Sequence, residues 1–167
     1  MDFFTSDQHF FHEAILQLTN RHFRTMKEMN KVISRRYNEH VSPDDTCYFN
    51  GDLSLSKHPD PLGKIISKLN GRKILILGNH DEINFRHYLR MGFESVHTSL
   101  DIGKYILVHD PVASVTKPDR KWVCGHVHNM WKKSGNCVNV SVDVWDFYPV
   151  SEVQIDEVFK SKEKFIG

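Results

Sequence analysis

The feature that most constrains the fold is a recurring unit, in which a short apolar or β-branched run stops at a cluster of Asp, His, Asn and Gly. Runs of strand length occur at Asp2–Thr5, Thr46–Phe49, Lys73–Leu77, Tyr105–Val108, Lys121–Cys124 and Cys137–Val142. The first is followed by Asp7-Gln8-His9, the second by Gly51-Asp52, and the third by Gly78-Asn79-His80-Asp81. The fourth is followed by His109-Asp110 and the fifth by Gly125-His126-Val127-His128. Helical patterns lie between the early runs: Thr25–His40 puts Met26, Met29, Val32, Ile33 and Tyr37 on one face, and Pro61–Leu69 does so with Leu62, Ile65, Ile66 and Leu69. The first half therefore reads β-α-β-α-β, which demands parallel crossovers, while the closer strands of the second half permit antiparallel pairing. A mixed α/β protein follows. In open α/β sheets ligands bind in the crevice beyond the carboxyl ends of the strands, so the five clusters are expected to converge on one site.

The residue types name the chemistry. Asp7, His9, Asp52, Asn79, His109, His126 and His128 comprise carboxylates, imidazoles and an amide, without a thiolate. This is more than one ion needs, and it suits two ions about 3.5–4 Å apart that share a bridging carboxylate. Mixed oxygen and nitrogen donors suit Mn²⁺, Fe, Zn²⁺, Co²⁺ or Ni²⁺ over Ca²⁺ or Mg²⁺ without choosing among the five, and two Mn²⁺ ions are the leading expectation. Two divalent ions set against Asp7, Asp52 and a bridging hydroxide leave a small positive charge, as in-line attack at phosphorus requires. Glycines before Asp52, Asn79 and His126 let the chain turn sharply and approach the ions closely.

Composition limits the alternatives. Lys and Arg number 22 against 21 Asp and Glu, a formal charge of +1, so no nucleic acid is expected as an obligatory partner and any selection of anions must be local. Three cysteines without a Cys-x-x-Cys spacing argue against a disulfide framework and a thiolate zinc site, and point to the cytoplasm. No run approaches the ~20 apolar residues of a membrane span, and the first residues lack the pattern of a signal peptide. With no linker or repeat, residues 1–167 are expected to form a single domain.

The ordered blocks D-x-H (Asp7, His9), G-D (Asp52), G-N-H-D (Asn79, His80, Asp81), a lone His after a strand (His109) and G-H-x-H (His126, His128) resemble those of the calcineurin-like metallophosphoesterases. Among these the chain looks most like the short single-domain members from bacteria and phages. Asp7-Gln8-His9-Phe10-Phe11-His12, Asn70-Gly71-Arg72-Lys73 and Val142-Asp143-Val144-Trp145 extend the likeness over nearly the whole chain. The resemblance implies a two-sheet mixed β-sandwich flanked by helices, a four-layer architecture. It implies one ion on Asp7, His9, Asp52 and His128, and a second on Asp52, Asn79, His109 and His126. It also implies that His80 faces the substrate as a catalytic group, oriented by Asp81.

The expected activity is hydrolysis of small phosphoesters, nucleotides among them, with diesters preferred to monoesters. A nuclease of the same superfamily is a weaker expectation, because the catalytic core fills the length and leaves no room for DNA-gripping segments. A non-catalytic binding module that keeps the fold is weaker still, since His80 is present with all the ligands. His12, three residues after His9, is a candidate for lining the site or contacting a ligand, and Arg21 is a candidate for meeting the phosphate.

Overall fold

The protein is described by a computed structural model covering residues 1–161. Strand β1 (Asp2–Thr5) leads through α1 (Ile15–Leu18) and α2 (Met26–His40) to β2 (Thr46–Phe49), α3 (Pro59–Ile66), β3 (Arg72–Ile76), α4 (Phe85–Met91) and β4 (Phe93–His97). Short strands β5 (Leu100–Asp101), β6 (Ile106–Leu107), β7 (Trp122–Cys124), β8 (Lys133–Ser134) and β9 (Cys137–Asn139) follow, and then β10 (Val150–Ser151) and α5 (Glu152–Lys160). Helix α2 starts where the Thr25 hydroxyl accepts a 3.1 Å hydrogen bond from Glu28 N, and α3 starts on a proline, whose missing N–H costs nothing in the first turn.

Two mixed sheets result, ordered β10-β1-β2-β3-β4 and β5-β6-β7-β9-β8. In the first, β1 to β4 run parallel and β10 is antiparallel, in keeping with the crossovers read from the sequence. In the second, β6, β7 and β9 are parallel and only the flanking β5 and β8 are antiparallel, although close spacing had allowed more antiparallel pairing. The 3₁₀ segment Pro111–Thr116 and the loop 125–132 supply those connections. The last expected strand is also shorter: β9 ends at Asn139, and Val142 lies in a 3₁₀ turn.

The strand period of two sorts side chains between layers. Phe3, Cys47, Phe49 and Leu75 face one way and pack against Met29, Ile33, Leu62 and Ile66 of the helices. Their neighbours Phe4, Tyr48 and Ile76 face the other way and meet Leu107, Val123 and Val138 of the second sheet, with Ile155 and Val158 of α5. The outer face of the second sheet, with Ile106, Trp122 and Cys137, is covered by Ala113 and Trp131. Among the described residues no α-helix covers that face, so the expected fourth layer is a 3₁₀ segment and a loop. No helix of the described chain is long and apolar enough to cross a membrane.

At the ligand-bearing edge one side chain joins the sheets. Asn50, fully buried just after β2, donates from Nδ2 to the carbonyls of Val108 and Val123 at 3.0 Å each. Its own carbonyl is 2.7 Å from His109 Nδ1. Replacing Asn50 by the similarly sized Leu leaves the Val108 carbonyl without this donor and the Val123 carbonyl with only the Val108 N–H, at a cost of about 1–3 kcal/mol. Urea unfolding of Asn50→Leu is expected to show this loss, and an unchanged midpoint would rule out the joint.

Candidate metal centre

The seven ligand candidates come from both sheets: Asp7, His9, Asp52 and Asn79 follow strands of the first, and His109, His126 and His128 follow strands of the second. They meet in two groups. Ligand atoms of Asp7, His9 and His128 lie within 4.8 Å of one another, as do those of Asp52, His109 and His126. Asp52 Oδ2 is 3.6 Å from His9 Nε2 in the first group and 3.3 Å from His109 Nε2 in the second, so one oxygen faces both. Asn79 Oδ1 joins the second group, 3.0 Å from both His109 Nε2 and His126 Nδ1.

Backbone conformation aims these side chains. Asp7 (φ 57°), His9 (50°), Asp52 (56°), His126 (72°) and His128 (48°) all adopt the left-handed region, sparsely used except by Gly, Asn, Asp and His. Strands β1, β2 and β7 therefore each end in a reversal that turns side chains across the sheet edge. Close approach explains two of the glycines. A Cβ at Gly78 would fall on Asp52 Oδ1, and one at Gly125 would lie 2.5 Å from Ser6 Oγ and 2.7 Å from Asp7 Oδ2.

Further contacts hold the donors in place. The Asp7 carboxylate accepts from Ser6 Oγ at 2.6 Å and from His126 N at 3.1 Å, and Asp52 Oδ1 accepts from His80 N at 2.9 Å, leaving Oδ2 to face the histidines. Asp81 has a different job from the orienting one expected of it. Its carboxylate accepts from the backbone N–H groups of Asp52, Leu53 and Gly78 at 2.8–2.9 Å, so it pins the loop of the shared carboxylate rather than the His80 ring. Burial pushes Asp81 up to about 6 despite these donors.

Arg21 is likewise not placed to meet a phosphate. It is buried, and its five N–H donors are spent on Asp143 Oδ1 and Oδ2, the carbonyls of Asp7 and Gln8, and Met29 Sδ. Asp143 in turn faces His128 Nδ1 at 2.8 Å, which turns Nε2 towards Asp7. Arg21 and Asp143 thus support the ligands from behind. Sequence reasoning gave Asp143 no role, although it lies in the Val142-Asp143-Val144-Trp145 stretch that carried part of the resemblance. His12 does lie beside a ligand, its Nδ1 3.2 Å from His9 Nδ1. A His9 donating to it keeps the Nε2 lone pair for a cation. Cys124, two residues before His126, is buried in the second sheet beside Cys137.

The donor set fits transition-metal ions. His9 Nε2 is buried with no hydrogen-bond partner among the described residues, which is unfavourable unless a cation takes its lone pair. Burial holds the His9 imidazole at about 3, hence neutral and ready to ligate. Burial also opposes charge on His109, but the Asp52 hydrogen bond and the Asp7 and Asp52 charges outweigh it and push His109 up to about 9. Burial raises Asp52 too, yet the His109 contacts prevail and hold it at about 2.

Two measurements follow from this geometry. Because Asp52 faces both groups, Asp52→Ala should weaken metal binding at both, whereas Asp143→Ala should weaken it by about 10–100-fold at the Asp7–His9–His128 group alone. Metal analysis and calorimetry distinguish these, and undiminished metal content and affinity in Asp52→Ala would sink the shared position of its carboxylate. The second measurement concerns His109, whose folded value lies above its unfolded one. The stability it gives the metal-free protein is complete below pH 6.5 and lost as pH rises through about 9, the range over which a metal no longer has to displace its proton. Thermal unfolding in chelator should therefore show this loss, and metal affinity should rise across the same window.

No family model matches the chain. The uncharacterized protein MJ1445 of Methanocaldococcus jannaschii is 35% identical over 173 residues, an alignment covering 95% of this chain and 89% of that protein. The gene 66 protein of Mycobacterium phage L5 is 34% identical over 80 residues, 47% of this chain and 38% of that one. Among solved structures, the protein of unknown function AQ665 from Aquifex aeolicus aligns at a TM-score of 0.71 and 29% identity, with 95% of this chain and 98% of that one covered. Identity at this level over nearly the full length of both chains shows that the chain belongs to the same family as uncharacterized protein MJ1445.

Proposed function

We propose that the protein is a dinuclear metal-dependent phosphoesterase of the calcineurin-like type, hydrolysing small phosphodiesters in the cytoplasm with Mn²⁺ as its leading cofactor. The observation that carries this reading is the placement of Asp52 Oδ2 between the two groups, 3.6 Å from His9 Nε2 and 3.3 Å from His109 Nε2. Asp7, His9 and His128 would hold one divalent ion and Asn79, His109 and His126 a second, with Asp52 facing both, and such a pair would supply Lewis acidity and an activated water for in-line displacement at phosphorus.

The chain's own residues do the rest. Asp7 and Asp52, both buried, together with a hydroxide would offset three of the four positive charges of two divalent cations, and the one left would match a diester's single negative charge. Asn79 and His126 are exposed, so the centre opens to solvent on the side where a substrate arrives. His80 stands next to the first group, its ring centroid 5.6 Å from that of His9, and its imidazole makes no hydrogen bond among the described residues. That ring is available to donate to a phosphoryl oxygen or to protonate the leaving oxygen, while the same residue's backbone N–H fixes Asp52. Three buried free cysteines accord with a reducing compartment.

His80→Ala is expected to keep both ions and lose about 10²–10⁴-fold in kcat/KM. If His80 protonates the leaving oxygen, nitrophenyl esters suffer less than alkyl esters; equal losses assign it to the phosphoryl oxygens. With Mn²⁺, bis-nitrophenyl phosphate or a 2′,3′-cyclic nucleotide should exceed nitrophenyl phosphate in kcat/KM. A monoester preference across several metals overturns the diester assignment, and no turnover with any of them overturns the phosphoesterase.

A further inference from the structure

Helices α2 and α3 both follow strands of the parallel sheet, so their first turns lie at the edge that carries the metal ligands. Between them runs a groove of about 530 Å³, the size of a small-ligand pocket. Its floor is mainly apolar, with Met26, Pro61 and Ile65, and Phe11, two residues beyond ligand His9, contributes to its wall. Lys27 and Lys31, one helical turn or about 6 Å apart on α2, line one side, and Lys64 of α3 and Lys68 in the turn that follows it line the other. All four are exposed, none makes an ion pair among the described residues, and no carboxylate lines the groove. In a chain of net charge +1 this is a local concentration of cation on an apolar trough.

We propose that this groove binds a single strand of nucleic acid, its phosphates on the two lysine pairs and its sugars and bases on the apolar floor. Lysine ammonium groups are point charges suited to phosphate, and Phe11 in the wall is an aromatic side chain of the kind on which single-strand sites stack bases without regard to sequence. An acidic peptide would satisfy the charge. A polynucleotide in addition carries, along one chain, the phosphodiester that the neighbouring centre is proposed to cleave, and in this respect the inference rests on that reading.

Binding is measured by fluorescence anisotropy of a labelled short oligothymidylate with the metal-free protein in chelator, where no cleavage occurs. Four lysine–phosphate contacts predict a slope of about −3 in log K against log salt, hence roughly a 50-fold weakening between about 50 and 200 mM. Lys31→Glu with Lys64→Glu should weaken binding at least about tenfold and flatten that slope. Lys121→Glu with Lys160→Glu, an equal change of net charge on the other side of the molecule, should leave it within about twofold. No binding at low salt, equal losses in both pairs, or a duplex or polyglutamate bound as tightly as the single strand would each overturn the proposal. Hydrolysis of bis-nitrophenyl phosphate, which has no polynucleotide backbone for the lysines to hold, tests the phosphoesterase separately and should be unchanged in the Lys31/Lys64 pair.

Discussion

The centre depends on registration of two sheets that share no strand. Four ligand candidates follow strands of one sheet and three follow strands of the other, so a small slip between the layers would separate the donors. The apolar layer of Phe4, Tyr48, Leu107, Val123 and Val138 supplies cohesion but little direction, because hydrophobic burial is not directional. Direction comes from hydrogen bonds at the edge: Asn50 to Val108 and Val123, and Ser6 N to the Val140 carbonyl with Val142 N returning to Ser6. Both joints immediately follow ligand-bearing strands or adjoin ligand residues, so errors in register are corrected where they matter most.

The Arg21–Asp143 pair serves the same end at longer range. Removing two charges from water is expensive, and a buried pair offsets that cost only when the remaining donors and acceptors are satisfied. Arg21 meets this condition, and its bonds to Asp7 O and to Asp143 link the first ligand loop to the support of the last, 122 residues away. The Arg21 and His128 contacts outweigh burial and hold Asp143 far below the usual carboxylate range, so it stays anionic behind His128. An apolar pair of similar volume would set neither the tautomer of His128 nor the path of the Asp7 loop.

What could be read in the sequence was local in origin. Alternating runs located β1, β2 and β3, apolar stripes located α2 and α3, and residue types at strand ends located the seven donors that the fold brings together. Helix α4 and strand β4 carried weaker signals: Phe85 and Leu89 are exposed, which blurs the stripe, and β4 is an edge strand with one fully buried residue. Asn50 and the Asp81 contacts to Asp52 and Leu53 depend on partners 28 to 73 residues away, and Asp143 depends on the buried Arg21, contacts that no spacing rule contains. Arg21 shows the converse error. A cation near a proposed phosphate site suggested a substrate contact, whereas packing had already engaged every donor.

The left-handed backbone at five of the seven ligands carries a consequence for sequence variation. An L-residue there is strained by roughly 1–2 kcal/mol, and glycine is not. Selection for stability alone would therefore drift positions 7, 9, 52, 126 and 128 towards glycine, each step relaxing the fold while removing a donor. Asparagine and aspartate are the side chains that tolerate the conformation and still offer an oxygen, so lineages that lose the chemistry should retain Gly, Asn or Asp at these positions, and β-branched residues should be absent from them whether or not the descendants bind metal.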